Sequence, residues 1–334
     1  MIGKVKYALA LALVPLLACQ EQIASPTTDG PSSEVALKKG GKPGGGGKEE
    51  PPANPAIVHS AGTSCPGYFG LSLWVTNADG SNVTDLGQCG DSIVAFGGGT
   101  SWSPDGRSVV FYNGGPDVMN VVDVALDAQG RLVAQNQRKL IVEDTLPQGF
   151  NPAWSPLGDV IAYSLQSGDI YTVPATGGEP TVVCSGCGED PTWDPAGEQL
   201  AFQRYGKLMV LTLATGSIET LISEGFFNIY WPDWSRSGER IAFNGSVTEN
   251  GPRSTYVIDV ATRQYSLLTD VGWPSSWSPD DTELVVVNRG KGNTRLLVIS
   301  STTGEVLRRM EKTSMWGEPD WRRCAPGPGC GPGN

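Results

Sequence analysis

Short apolar runs, three residues long and mostly ending in an aromatic, return along this chain about every forty residues, the spacing of a repeat architecture. They read Val109-Val110-Phe111, Ile161-Ala162-Tyr163, Leu200-Ala201-Phe202 and Ile241-Ala242-Phe243, with Val285-Val286-Val287 as a weaker copy. Runs this short, bounded by Gly, Pro, Asp and Asn, predict strands. A second apolar run follows, as in Ile170-Tyr171-Thr172-Val173, Lys207-Leu208-Met209-Val210 and Thr255-Tyr256-Val257-Ile258. A tight turn such as Ala214-Thr215-Gly216-Ser217 then leads into a further strand, here Ile218 to Ile222. Ahead of each first run stands a tryptophan phrase, fullest in Ser101-Trp102-Ser103-Pro104-Asp105-Gly106. Its anchors are Trp102, Trp154, Trp193, Trp234, Trp277 and Trp321, at successive spacings of 52, 39, 41, 43 and 44 residues.

One Trp strand followed by three more makes a four-stranded antiparallel unit, the blade of a β-propeller. The two ends of the pattern complete each other. Residues 56–88 supply Ala56-Ile57-Val58-His59-Ser60, Leu73-Trp74-Val75-Thr76 and Asn82 to Leu86, a blade without its first strand, whereas residues 318–322 supply a Trp strand without its blade. Pairing them predicts an all-β, six-bladed propeller over residues 56–323, closed by N- and C-terminal strands so that no sheet edge stays open.

The phrase W-S-P-D-G, an I-A-F run, a second strand and the turn Asn77-Ala78-Asp79-Gly80-Ser81 together resemble the repeat of TolB-type propellers, a distant relative of the WD repeat. The resemblance covers residues 56–322, with turns degraded at Pro156-Leu157, Arg236-Ser237 and Asp280-Asp281. It implies a propeller that docks another protein or a peptide. Similar repeats also occur in propellers attached to prolyl-oligopeptidase-like hydrolases and in some pectate-fragment lyases, so the likeness bears on fold more than on function.

Upstream of the repeats, Lys4 and Lys6 precede an apolar stretch from Tyr7 to Ala18 that ends in Leu16-Leu17-Ala18-Cys19. This is the pattern of a secretory signal over residues 1–19. Its last residues resemble a bacterial lipobox, which implies acylation of Cys19, export and a membrane anchor. Gln20 is not the aspartate that resembles an inner-membrane retention signal, which favours the outer membrane, facing the periplasm or the cell surface. Residues 20–55, rich in Gly, Pro, Ser, Lys and Glu, cannot bury enough apolar surface to offset their ordering entropy and are expected to act as a tether. A flexible coil of that length reaches roughly 30–35 Å.

The formal net charge of −11 argues against nucleic acid as a partner and fits a soluble, monomeric exported domain. Setting Cys19 aside leaves six of seven cysteines, an even number suited to an oxidising compartment. The expected pairs are local: Cys65 with Cys89 in loops of the composite blade, Cys184 with Cys187, and Cys324 with Cys330 in a Gly/Pro-rich tail over residues 324–334. For Cys184-Ser185-Gly186-Cys187, a metal or redox role lacks a second ligand pair, a nearby histidine and a βαβ pattern.

Catalytic chemistry finds little footing. The chain has a single histidine, and His59 falls where the repeat places a core aromatic. There is no G-x-S-x-G nucleophile elbow and no cluster of metal ligands, so neither metal nor cofactor is expected and the chain reads as a non-enzyme. The anchor tryptophans suit core packing, and Asp105 suits a turn. Recognition is better sought in the loops before the Trp strands and between second and third strands, which ring one channel mouth. They carry Phe150, Glu189, Asp190, Phe226, Phe227, Tyr230, Trp231, Trp273, Trp316, Glu318, Arg204, Tyr205, Arg253 and Arg289. Trp231, Trp273, Trp316, Glu189, Asp190 and Arg289 are the candidate partner-binding residues. Two functions are compatible with them: an envelope lipoprotein docking a protein or peptide, or a carbohydrate-binding or carbohydrate-degrading propeller. Glu189-Asp190 near Trp231 is the cluster that would favour the second.

Overall fold

The computed structural model describes residues 56–62, 71–87, 99–112, 119–140, 149–270, 273–290, 293–310 and 318–323, all within the compact unit Glu50–Asn334. Cys19, Cys65, Cys89, Trp316, Cys324 and Cys330 lie outside the described residues, as do the signal, tether and tail segments.

Six antiparallel sheets of four strands form the ring. The composite blade holds β1 (Ile57–Gly62), β2 (Leu71–Thr76) and β3 (Thr84–Asp85). Next come β4 (Thr100–Trp102), β5 (Ser108–Tyr112), β6 (Met119–Leu126) and β7 (Leu132–Lys139), then β8 (Gly149–Trp154), β9 (Val160–Leu165), β10 (Ile170–Pro174) and β11 (Thr181–Cys184). The fourth blade holds β12 (Glu189–Trp193), β13 (Gln199–Arg204), β14 (Lys207–Thr212) and β15 (Ser217–Ile222). The fifth holds β16 (Asn228–Trp234), β17 (Arg240–Ser246), β18 (Ser254–Asp259) and β19 (Tyr265–Thr269). The sixth holds β20 (Trp273–Trp277), β21 (Glu283–Gly290), β22 (Asn293–Ser300) and β23 (Val306–Met310), after which β24 (Asp320–Trp321) returns to the first sheet.

Closure is as the sequence predicts. Strand β24 pairs with β1 through Ile57↔Trp321 and Val58↔Asp320. The inner strands β4, β8, β12, β16, β20 and β24 each touch the next, and β24 touches β4 again.

The I-A-F run works by strand alternation. Its first and third residues join the anchor Trp of their own blade: Ile241 and Phe243 with Trp234, Leu200 and Phe202 with Trp193. The middle residue faces the other way and joins the Trp of the next blade. Val110 lies in the cluster of Trp154, Ala162 with Trp193, Ala201 with Trp234 and Ala242 with Trp277. A small middle residue therefore makes room for the neighbouring indole. This register corrects the expected copy in the last unit. Leu284 is the residue opposite Trp277, so the run is Leu284-Val285-Val286, one residue earlier than Val285-Val286-Val287. Val285 then faces Trp321, as a middle residue should.

All six anchor tryptophans are buried. Several indole N–H groups find backbone acceptors: Trp193 donates to the Ala153 carbonyl at 3.0 Å and Trp277 to the Asp233 carbonyl at 2.9 Å, so these rings also tie blade to blade. His59 is fully buried opposite Trp74, and burial lowers its pKa to about 4, so it stays neutral at ordinary pH. Asp105 accepts hydrogen bonds from Ser103 Oγ at 2.6 Å and from the Arg107 amide at 3.1 Å. That is the turn role expected of it.

Candidate functional site

Counting back from each anchor Trp shows how the inner strands line the central channel. In four of the six blades the residue immediately before the Trp clasps the next blade. Ser101 Oγ accepts from the Trp154 amide at 3.1 Å, Asp233 from the Trp277 amide at 2.9 Å, Ser276 from the Trp321 amide at 3.0 Å, and Asp320 from the Trp102 amide at 2.7 Å. Asp233 and Asp320 are thereby committed to holding the ring. Two residues before the Trp, Pro152, Pro191, Pro232 and Pro319 occupy strands whose outer edge faces the channel, where a missing N–H costs no ladder bond.

The third residue before the Trp is the chemically varied one. Asn151, Asp190, Trp231 and Glu318 occupy it, and with the clasp residues they line a cavity of about 70 Å³. A register shift in β8, β12 and β16 precedes each anchor Trp, and Asn151, Asp190 and Trp231 have φ of 54°, 59° and 47°. Asn and Asp visit this left-handed region with modest strain, whereas a bulky aromatic seldom does. The level is hydrogen-bonded sideways. Asn151 Oδ1 accepts from the Gly99 amide at 3.2 Å, Asn151 Nδ2 donates to Asp190 Oδ1, and the Trp231 amide donates to Asp190 Oδ2 at 3.2 Å. The Trp231 side chain hydrogen-bonds Glu318. Gly99 leaves space for that carboxylate, since a Cβ there would stand 2.7 Å from Glu318 Oε2.

Two carboxyls, the buried Asp190 and the half-buried Glu318, thus share one level of the channel. Burial, ahead of all other causes, raises the pKa of Asp190 to about 6, while the Trp231 and Asn151 hydrogen bonds oppose the rise. Glu318 is pushed well above the usual carboxylate range, first by burial and then by the charge of Asp190. Below the clasp level, the Arg236 guanidinium donates to the carbonyls of Trp277 at 3.2 Å and Trp321 at 3.0 Å. Burial, with Arg323 nearby, lowers its pKa to about 10.

The mouth above Asp190 is an aromatic stack with cations laid on it. Ring centroids of Tyr230 and Trp231 lie 5.3 Å apart, and those of Trp231 and Trp273 5.6 Å apart. Arg253 lies 4.1 Å from the Tyr230 ring and 4.4 Å from that of Trp273, while Arg289 lies 3.6 Å from the Trp273 ring. Such guanidinium–indole contacts are worth about 0.5–2 kcal/mol each. Arg253 precedes β18 and Arg289 is the last residue but one of β21, so both belong to hairpins between second and third strands, the set expected at this mouth.

The candidate residues separate on inspection. Trp231, Trp273 and Arg289 come together. Asp190 lies beneath them inside the channel, but Glu189 points away and accepts from Gln203 Nε2 at 3.1 Å, so the adjacent pair is not a carboxylate couple. Asp190 is matched instead with Glu318, 128 residues on in the chain. Phe226 packs inward against Phe243, Tyr256 and Tyr265. A disulfide joins Cys184 to Cys187 and fixes the approach to β12. Among the described residues no three His, Cys, Asp or Glu side chains converge as a metal site would require. Asn151, Asp233, Asp320 and Arg236 were not singled out from sequence, although aligning the repeats on the Trp column would have shown their positions.

No family model and no curated protein matches the chain. Solved structures do. TolB from Acinetobacter baumannii matches with TM-score 0.63 and 17% identity, over 80% of this chain and 66% of that one. A putative TolB from Agrobacterium tumefaciens matches with TM-score 0.54 and 19% identity, over 66% and 84%. The nidogen/laminin complex matches with TM-score 0.61 and 9% identity, over 80% and 98%. This chain spans just under two thirds of the Acinetobacter protein, and at these identities the likeness is one of fold. The chain is an all-β, six-bladed propeller of TolB-like fold, its ring closed by its own last strand.

Proposed function

We propose that this chain is a lipid-anchored envelope protein whose propeller docks a protein or peptide segment at the channel mouth and does not turn it over. The observation that carries this reading is the mouth itself, where Tyr230, Trp231 and Arg253 of the fifth blade meet Trp273 and Arg289 of the sixth on a rigid ring. Aromatic and arginine side chains clustered at one spot are the composition of protein-interface hot spots. Trp231 adds a second reason. A non-glycine aromatic held at φ 47° costs on the order of 1–3 kcal/mol, and such strain concentrates at functional positions.

A carbohydrate ligand has one observation in its favour, the nearness of Trp231 to Asp190 and Glu318. Against it, the Trp273 face that a sugar would stack on is covered by guanidinium.

The reading is tested by replacing Trp231, Trp273 and Trp316 together with Ala. The triple variant is expected to fold with its melting temperature within a few degrees of the parent and to lose capture of its envelope partner in crosslinking. Capture that survives in the folded variant would remove the mouth from consideration. Turnover of any glycan or peptide by the purified domain would refute the non-enzyme part. For the anchor, Cys19→Ala is expected to move the protein from the detergent phase to the aqueous phase, and unchanged partitioning would reject lipidation.

A further inference from the structure

Cations gather at the mouth of a protein whose net charge is −11. The described hairpins between second and third strands present Arg204 and Lys207 in one blade, Arg253 in the next and Arg289 in the one after, beside two carboxylates, Asp169 and Glu249. Among the described residues, ion pairs join Arg131 to Asp127, Arg138 to Asp123, Arg263 to Glu219 and Arg308 to Glu283, none of them at this rim. The two carboxyls beneath the stack are already engaged, Asp190 by Asn151 and the Trp231 amide and Glu318 by the Trp231 side chain.

Two of these cations are held close together. Arg253 and Arg289 lie against the same Trp273 ring, at 4.4 and 3.6 Å from its centroid, and the charge of Arg253 helps to hold the Arg289 pKa below its usual value, behind burial as the main cause. A guanidinium placed over an indole face has N–H groups left to donate, and it takes a carboxylate through two parallel hydrogen bonds. An anion placed between the two would relieve their repulsion.

The rim beside this pair is apolar and exposed. Tyr205, 88% exposed with Arg204 against its ring, and Phe227, 50% exposed, belong to neighbouring loops. These loops pack tightly, since a Cβ on Gly206 would meet the Phe227 and Phe226 carbonyl oxygens at 2.7 and 2.8 Å. Tyr205, like Trp231, is an aromatic in the left-handed region, at φ 49°.

We infer that the mouth selects an acidic peptide segment, whose carboxylates are gripped by Arg253 and Arg289 and whose apolar side chains lie on Tyr205 and Phe227. This rests on the mouth being the docking surface, and adds the chemistry of what docks. A peptide is favoured over an acidic glycan because the exposed rings sit outside the cationic pair, where side chains can reach them, while the ring a sugar would stack on is occupied.

The test uses the full chain and fluorescence anisotropy with three labelled probes: a decapeptide alternating Glu and Leu, the same peptide with Gln for Glu, and an oligogalacturonate. The Glu peptide is expected to bind at least about tenfold more tightly than the Gln peptide and to weaken as salt rises, as charge-steered docking does. Arg253→Gln and Arg289→Gln should each cost about tenfold, the loss typical of one charge-assisted contact. Arg289→Glu should abolish binding while the protein still unfolds cooperatively, at a melting temperature lower by no more than a few degrees, since the variant loses one guanidinium–indole contact. Equal binding of the two peptides, no binding of either, or full affinity in Arg289→Glu would overturn the inference, and preference for the oligogalacturonate would reassign the mouth to an acidic glycan. Equal binding of both peptides that is lost in the tryptophan triple variant would leave the docking surface standing and remove only its acidic selectivity.

Discussion

Deleting the chain from Thr313 onward is expected to unfold the whole propeller, not to loosen one blade. The deletion removes β24, two residues long, whose bonds reach three blades. Asp320 accepts the Trp102 amide at 2.7 Å and Ser276 Oγ at 3.1 Å, the Trp321 amide donates to Ser276, and Arg236 donates to the Trp321 carbonyl. Loss of a buried Trp side chain alone costs about 3–5 kcal/mol. Each buried donor left without its acceptor adds about 1–3 kcal/mol, and here these include the Trp102 amide and an Arg236 N–H. Domains have about 5–15 kcal/mol in total. Strand β1 would also become an open edge beside the channel, a site for aggregation. Calorimetry should show the cooperative transition lost or shifted down by tens of degrees. A truncated protein melting with the parent would mean that the ring closes without β24. Trp321→Ala, expected to lower stability by about 3–5 kcal/mol, separates loss of the ring from loss of the strand.

The propeller is expected to be more stable at mildly acidic pH than at neutrality. Asp190 has a folded-state pKa of about 6 against an ordinary 3.8. The folded state therefore keeps a proton that the unfolded chain has released, so this group's contribution is fully present below about pH 4 and is lost as pH rises through 6. That displacement corresponds to roughly 3 kcal/mol. Glu318 acts in the same direction above its own ordinary value of 4.5. Asp79, Asp123, Asp169 and Asp280, held below 3.8 by hydrogen bonds from Ser and Thr hydroxyls and backbone amides, oppose this at lower pH, because their contribution is lost as they protonate. The optimum should then lie between about pH 4 and 5. Glu318→Gln keeps an acceptor for the Trp231 side chain and removes a charge beside Asp190, so it should raise the melting temperature at pH 7 by several degrees and flatten the profile. Equal melting temperatures at pH 5 and pH 7, or a destabilised Glu318→Gln at pH 7, would show that these carboxyls are hydrated and not buried.

The two effects concern different parts of one construction. Ring closure depends on the residue just before each Trp, where Asp233, Ser276 and Asp320 hold the next blade. The pH effect depends on the residue two places earlier, where the same strand turns a titratable side chain into the channel. Asp190 and Glu318 do not accept the amide of an anchor Trp; their partners are Asn151 and Trp231, at the level of the mouth.

What the sequence by itself determined is whatever repeats at short range. The forty-residue period, the four strands in each unit, the blade count and the pairing of the N- and C-terminal strands all follow from hydrophobic alternation and turn residues, which act over a few positions. The burial of His59 and the turn role of Asp105 were legible for the same reason, since each sits at a template position. Even the misplaced run Val285-Val286-Val287 erred by one residue, because three consecutive valines carry no marker of register and only the pairing of Leu284 with Trp277 supplies one. The tertiary structure alone decided which side chains of different blades meet. Asp190 with Glu318, Arg253 with Arg289 over Trp273, and Arg236 with the carbonyls of Trp277 and Trp321 are brought together by the circular packing of blades and lie 36 to 128 residues apart in the chain. Glu189 and Asp190, adjacent in sequence, are separated for the complementary reason. The register shift that begins at Glu189 and the left-handed backbone of Asp190 turn the second side chain into the channel while the first stays on Gln203.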